Sequence, residues 1–81
     1  MEITVLLFAA HRERVGAGSA VVSLPDGSTV GTLLSRLRAR GGGWGDLPQS
    51  PAVAVNRRYA SGDSALADGD EVALIPPVAG G

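Results

Sequence analysis

"STVGTLLSRLRARGGG", Ser28 to Gly43, decides how the rest of the chain must fold. Val30, Leu33, Leu34 and Leu37 recur at i, i+3, i+4 and i+7, which puts one apolar stripe on a helix. Ser28 or Thr29 stands where an N-cap is needed. Arg36, Arg38 and Arg40 fall off the stripe, and the later ones suit a helix C-terminus. Gly41 to Gly43 end the helix. Each stripe residue contributes about 1.5–3 kcal/mol when fully buried. A helix with a single stripe needs a single surface to cover, and the flanking segments supply one as a sheet.

Upstream, Glu2 to Ala9 reads as a strand. Ile3, Val5 and Leu7 point one way, and Thr4, Leu6 and Phe8 the other. Apolar residues on both faces suit a central strand. Ala10 to Gly16 is a short, polar, Arg-rich connection with room for one helical turn. Ser19 to Leu24 is a second strand, stopped by "PDGS" at Pro25 to Ser28, where Pro presets φ and Asp-Gly turns the chain. Downstream, Trp44 anchors a loop that continues through Pro48 to Pro51. "AVAVN" is a short strand. "NRRYASGDSALADGD" is a chain of turns anchored by Tyr59 and Leu66, and "EVALIP" is the last strand. The order is β-β-α-β-β around one main helix. The 81 residues suggest one domain, 1–81, large enough to fold alone on a modest core.

Composition removes whole classes of function. The net charge of −1 offers no excess with which to hold nucleic acid or an anionic membrane. No apolar run approaches a membrane span. The first residues faintly resemble a signal peptide, but they lack a basic start and alternate like a strand, so the expected compartment is the cytoplasm. With no cysteine there is no disulfide, thiolate metal site or thiol nucleophile. All seven cations are arginine, so no lysine amine on the chain can be acylated by an activated chain end.

Candidate side chains for chemistry are few. His11 is the only histidine and lacks the second ligand a zinc site wants; in a polar connector it reads as solvated surface. Asp68, Asp70 and Glu71 are too compact for a calcium loop and read as a turn into a strand. "GGGWG", Gly41 to Gly45, follows a helix and has no lysine, unlike a phosphate loop. The helix arginines lack interleaved aromatics and read as a solvated face. No Ser-His-Asp set can be assembled from one histidine. No metal site is expected.

That leaves "IPPVAGG", Ile75 to Gly81. Pro76 and Pro77 cannot continue a ladder and favour an extended path. Val78 is a side chain for a pocket. Ala79, Gly80 and Gly81 form a thin end that a narrow channel admits. Residues 76–81 thus read as an extended reactive tail whose functional group is the α-carboxylate of Gly81. A carboxylate is inert until it is activated, for example by adenylation.

"LLFAAHRERVG", "STVGTLLSRL", "VAVN" and above all "LADGDEVALIPPVAGG" together resemble the small subunits of molybdopterin synthases across nearly the whole chain. The resemblance implies an α+β fold of the ubiquitin-like β-grasp type, with a mixed sheet of four to five strands packed on one main helix and a flexible C-terminal tail. It implies a sulfur carrier. An adenylating, ubiquitin-activating-like enzyme uses ATP and magnesium on Gly81, a sulfur donor makes the thiocarboxylate, and the tail delivers sulfur to precursor Z, forming the dithiolene of molybdopterin. The chain binds no cofactor itself, and the catalytic residues lie on the large subunit of a heterotetramer. The resemblance assigns partner binding to Phe8, Arg12, Tyr59 and Ile75, followed by the tail residues Pro76, Pro77, Val78 and Ala79, with Gly80 beside the reactive Gly81. Members of the family often carry an aromatic where Ile75 stands and an aliphatic where Tyr59 stands. A thiamin-pathway or tRNA-thiolation carrier, or a ubiquitin-like binding module that is never activated, are the alternatives.

Overall fold

The computed structural model describes residues 1–76. The elements are β1 (Glu2–Leu7), α1 (Ala9–Val15), β2 (Ser19–Ser23), α2 (Val30–Arg38), a 3₁₀ turn (Gly42–Trp44), β3 (Ala52–Val55), β4 (Arg58–Ala60) and β5 (Glu71–Ile75). They form one five-stranded sheet in the order β2-β1-β5-β3-β4. β1 and β5 run parallel, and every other pair is antiparallel. A parallel pair cannot be joined by a tight turn. The chain between β1 and β5 is therefore long: it adds β2, β3 and β4 to the sheet and packs α2 onto one sheet face.

The stripe on α2 does what its spacing requires. Val30, Leu33, Leu34 and Leu37 are buried against Ile3, Val5 and Leu7 of β1, Val22 of β2, Val53 of β3 and Val72 and Leu74 of β5. Leu24, Leu47 and Leu66 close the ends of this core, and Trp44 packs against it. Of the two candidate caps, Thr29 is the one used: its Oγ1 accepts from the Thr32 N–H at 3.3 Å. Ser28 instead donates to the Pro25 carbonyl at 2.7 Å and fixes the preceding turn. The next two free N–H groups of the helix, on Val30 and Gly31, donate to the carbonyls of Ser64 and Gly62, so the 61–65 loop satisfies donors that every helix start leaves open.

Five expectations need correction. The Ala10–Gly16 connection is a two-turn helix, α1, so the described residues hold two α-helices. The first strand stops at Leu7, and Phe8 is the N-cap of α1. The run from Asn56 to Asp70 is not all turns: its first part is β4, held to β3 by a two-residue hairpin. Tyr59 is no anchor, being 82% exposed, whereas Leu66 is buried as expected. Finally, His11 is not solvated surface; it is only 5% exposed. Its burial follows from α1, because a second helical turn rolls position 11 inward against the 46–51 loop.

The hairpin and the acidic turn lock to each other. Asn56 Nδ2 donates to Asp70 Oδ1 (2.9 Å), the Glu71 N–H donates to Asn56 Oδ1 (3.0 Å), and Asp70 Oδ2 accepts from the Ala67 N–H (2.8 Å). Asp68 accepts from the Glu2 N–H at 2.7 Å. The carboxylates of Asp68 and Asp70 are thus spent on setting the start of β5 beside β1, the turn role expected of "DGDE".

Candidate functional site: the outer sheet face and the end of β5

Because side chains alternate along a strand, burying Ile3, Val5, Leu7, Val72, Leu74 and Val53 under α2 forces their neighbours onto the opposite face. The registers align one row across the sheet: Ser19, Leu6, Ala73, Ala54 and Tyr59. A second row pairs Ile75 with Ala52. Phe8 lies one residue beyond the Leu7–Leu74 pair, so the register sets it next to Ile75. Among the described residues no helix covers this face. Phe8 is 48% exposed, and Tyr59 projects at the far end of its row.

The result is an apolar surface with small residues, Ala52, Ala73 and the nearly buried Ala54, in the middle and large ones, Phe8 and Tyr59, at its margins. Exposed aromatics around a flat centre of small side chains suit a protein interface. Arg12 stands on α1 beside this face, with its guanidinium over the backbone at Gly18. The structure therefore brings Phe8 and Ile75 together, sets Tyr59 on the same face two strands away, and holds Arg12 at the border. Pro76 follows Ile75 directly and leaves from the Phe8 end of the surface. Pro77, Val78, Ala79, Gly80 and Gly81 lie outside the described residues.

The turn that delivers Phe8 to this face is itself unusual. Ala9 has φ 46°, a left-handed conformation that costs a non-glycine residue about 1–2 kcal/mol. The chain accepts that cost where β1 hands over to α1, between the exposed ring of Phe8 and the buried ring of His11.

Elsewhere the surface offers little chemistry. A groove of about 440 Å³ lies between α2 and the β3–β4 hairpin, and its one charged side chain is Arg38. That guanidinium is engaged with the carbonyls of Pro48 and Gln49 (3.4 and 3.2 Å). "GGGWG" forms the 3₁₀ turn rather than a phosphate loop, with Arg40 stacked over Trp44 at 5.1 Å from the ring centroid. Among the described residues no group of three His, Cys, Asp or Glu side chains is placed to hold a metal ion, and no helix is long and apolar enough to cross a membrane. Sequence reasoning set Leu6 on the same side as Phe8 but missed the contribution of Ala52, Ala54 and Ala73 to the outer face. The alternation in β1 and β5 carries that signal, but only the register shows which residues lie side by side.

A mixed sheet wrapped on one principal helix, with the chain end issuing from the middle strand beside an uncovered apolar face, defines a ubiquitin-like β-grasp protein. The chain belongs to the ThiS family, whose model matches residues 5–81. It is 41% identical to the molybdopterin synthase sulfur carrier subunit of Escherichia coli over 81 residues, covering 98% of this chain and 99% of the relative. It is 37% identical to the subunit of that name from Chlamydomonas reinhardtii, covering all of both chains. The crystal structure of SAMP1, a small archaeal modifier protein from Haloferax volcanii, superposes with a TM-score of 0.79 at 34% identity and full coverage of both chains.

Proposed function

We propose that this protein is the sulfur carrier subunit of a molybdopterin synthase. One geometric observation carries the reading: β5 ends at Ile75 on the uncovered apolar face, beside Phe8, so a partner docked there receives the chain end directly. The full-length similarity to sulfur carrier subunits from a bacterium and an alga supports the same reading.

In this cycle the Gly81 carboxylate attacks the α-phosphorus of ATP in an adenylating enzyme, which supplies the magnesium, and pyrophosphate leaves. A sulfur nucleophile from a donor displaces AMP and leaves a C-terminal thiocarboxylate. The large subunit then binds the outer face through Phe8, Arg12, Tyr59 and Ile75. Pro76 to Ala79 thread its active site, and sulfur passes from Gly81 to precursor Z. The carrier supplies position and a reactive atom, and the large subunit supplies the catalytic side chains. Two transfers build one dithiolene, which fits a heterotetramer with two carriers, and the cycle belongs in the cytoplasm.

Incubation with the cognate adenylating enzyme, ATP, magnesium and a sulfur source should raise the mass of the chain by the difference between sulfur and oxygen. The product should then convert precursor Z when the large subunit is added. A chain that gains no mass under these conditions overturns the reading. The similarity to SAMP1 favours a second reading, in which Gly81 is joined to an amine of another protein. That reading expects covalent adducts of the carrier on other chains in the same mixture and no sulfur in the product.

A further inference from the structure

The two edges of the sheet are defended differently. At one edge, β4 is only Arg58-Tyr59-Ala60 and follows directly on Arg57. Short length and charge are common means of keeping an open edge from pairing. At the other edge, β2 is Ser19-Ala20-Val21-Val22-Ser23, with no charge and no proline.

The ladder to β1 shows which backbone groups of β2 are left over. The Leu7 N–H donates to the Gly18 carbonyl and the Leu24 N–H to the Met1 carbonyl, both at 2.9 Å. In an antiparallel ladder, hydrogen-bonded pairs recur at every second residue. With Ile3 opposite Val22 and Val5 opposite Ala20, the even-numbered residues of β2 are the ones bonded to β1. The N–H and C=O groups of Ser19, Val21 and Ser23 therefore point away from the sheet, and no described residue bonds them. The side chains of the same residues are exposed, Val21 by 61%.

Ser19, Val21 and Ser23 read alike in both directions. Two β2 strands set antiparallel about Val21 place each Val21 opposite its counterpart and each Ser19 opposite a Ser23. Every one of these pairs then exchanges both of its N–H···O bonds, and no charge within the strands meets a like charge. The flanks are complementary as well. The Arg12 guanidinium lies by Gly18 at the start of β2, and Asp26, 98% exposed, follows its end. Antiparallel pairing turns the basic end of each strand toward the acidic end of the other.

We propose that β2 is a self-association edge, through which two copies of this chain join their sheets with Val21 on the twofold axis. So short an edge buries far less than the roughly 1,200 Å² of a stable interface, so the pair is weak and reversible. β5 lies two strands in from this edge, and the face around Phe8 and Ile75 stays open in the pair. The pairing is independent of what Gly81 carries.

Sedimentation equilibrium of the full-length chain should show a reversible dimer as its concentration rises to about 1 mM, the range of a weak encounter. In NMR spectra over the same range, the amide resonances of Ser19, Val21 and Ser23 should move most. Val21→Lys and Val21→Glu each set like charges opposite one another across the axis, which disfavours pairing. Both should melt with the parent, because position 21 is exposed, and each alone should stay monomeric where the native chain pairs. An equal mixture of the two should pair again, since lysine then faces glutamate. A native chain that stays monomeric throughout overturns the proposal. So does a dimer that neither substitution weakens, or a mixture of the two variants that fails to pair. Amides of β2 that respond to an added large subunit but not to concentration assign this edge to a strand of that partner, and overturn it too.

Discussion

Phe8 and Asn56 show how differently single side chains are used in this molecule. Phe8 is half exposed on a face that nothing in the described chain covers. Truncating an interface aromatic commonly costs about 2 kcal/mol or more in binding, whereas a core phenylalanine costs about 3–5 kcal/mol in stability. Phe8→Ala should therefore weaken binding to the large subunit by about 2 kcal/mol in calorimetric titration while moving the melting temperature little. A large loss of melting temperature with unchanged affinity would place the ring in the core instead. Asn56 is the opposite case. Its amide ties the β3–β4 hairpin to Asp70 and to the backbone of Glu71, and each such bond is worth about 0.5–1.5 kcal/mol net. Asn56→Ala should lower stability in urea by about 1–3 kcal/mol and leave the outer face unchanged.

At the scale of elements, two joints carry visible constraints. The 3₁₀ turn packs on the C-terminal end of α1 so closely that a Cβ added at Gly43 would overlap the Arg14 carbonyl and crowd the Val15 backbone. Backbone cannot swing aside as a side chain can. Gly43→Ala should therefore destabilise by about 1–3 kcal/mol, the usual range for overpacking, and loosen α1 from the 3₁₀ turn. Thermal melting and hydrogen exchange of α1 amides check both effects. The other joint is the hairpin loop, Asn56-Arg57, where both residues have positive φ (50° and 70°), as a type I′ turn requires. Asparagine tolerates this and arginine does not. Arg57→Gly should raise stability by about 0.4–1 kcal/mol, measurable as a higher urea midpoint at constant slope. The element pattern was legible in sequence where period and caps agree, as in α2 and β1. It was illegible at β4, whose three residues lie among turn formers and are held by pairing to β3 rather than by any pattern of their own. Likewise α1 lacks an apolar stripe; its packing on the 3₁₀ turn and the burial of His11 hold it.

For the whole molecule, the proposed function divides labour between a closed core and a chain end that carries the sulfur. Among the described residues, every buried core side chain lies at or before Leu74. Deleting Gly81 should accordingly leave the melting temperature and the affinity for the large subunit unchanged, yet abolish sulfur transfer. The new terminus would sit about 3.3 Å short, and a misplacement of about 1 Å can already cost a hundredfold in rate. Extending the chain by one residue should fail in the same way. Thiocarboxylate formed and delivered at the native rate by either variant would remove Gly81 from its assigned role. What the sequence by itself determined is whatever depends on local period and chain chemistry: the α2 stripe, the alternation of β1 and β5, the turn at Pro25–Ser28, the absence of thiols and lysines, and the small-residue end. What only the tertiary structure decided is whatever depends on neighbours distant in the chain. Register set Phe8 beside Ile75 and placed Tyr59 on the same uncovered face rather than in the core. The packing of α1 against residues 43–51 buried a histidine that looks solvated in its own polar stretch, because burial is a property of what lies across the fold and not of adjacent residues.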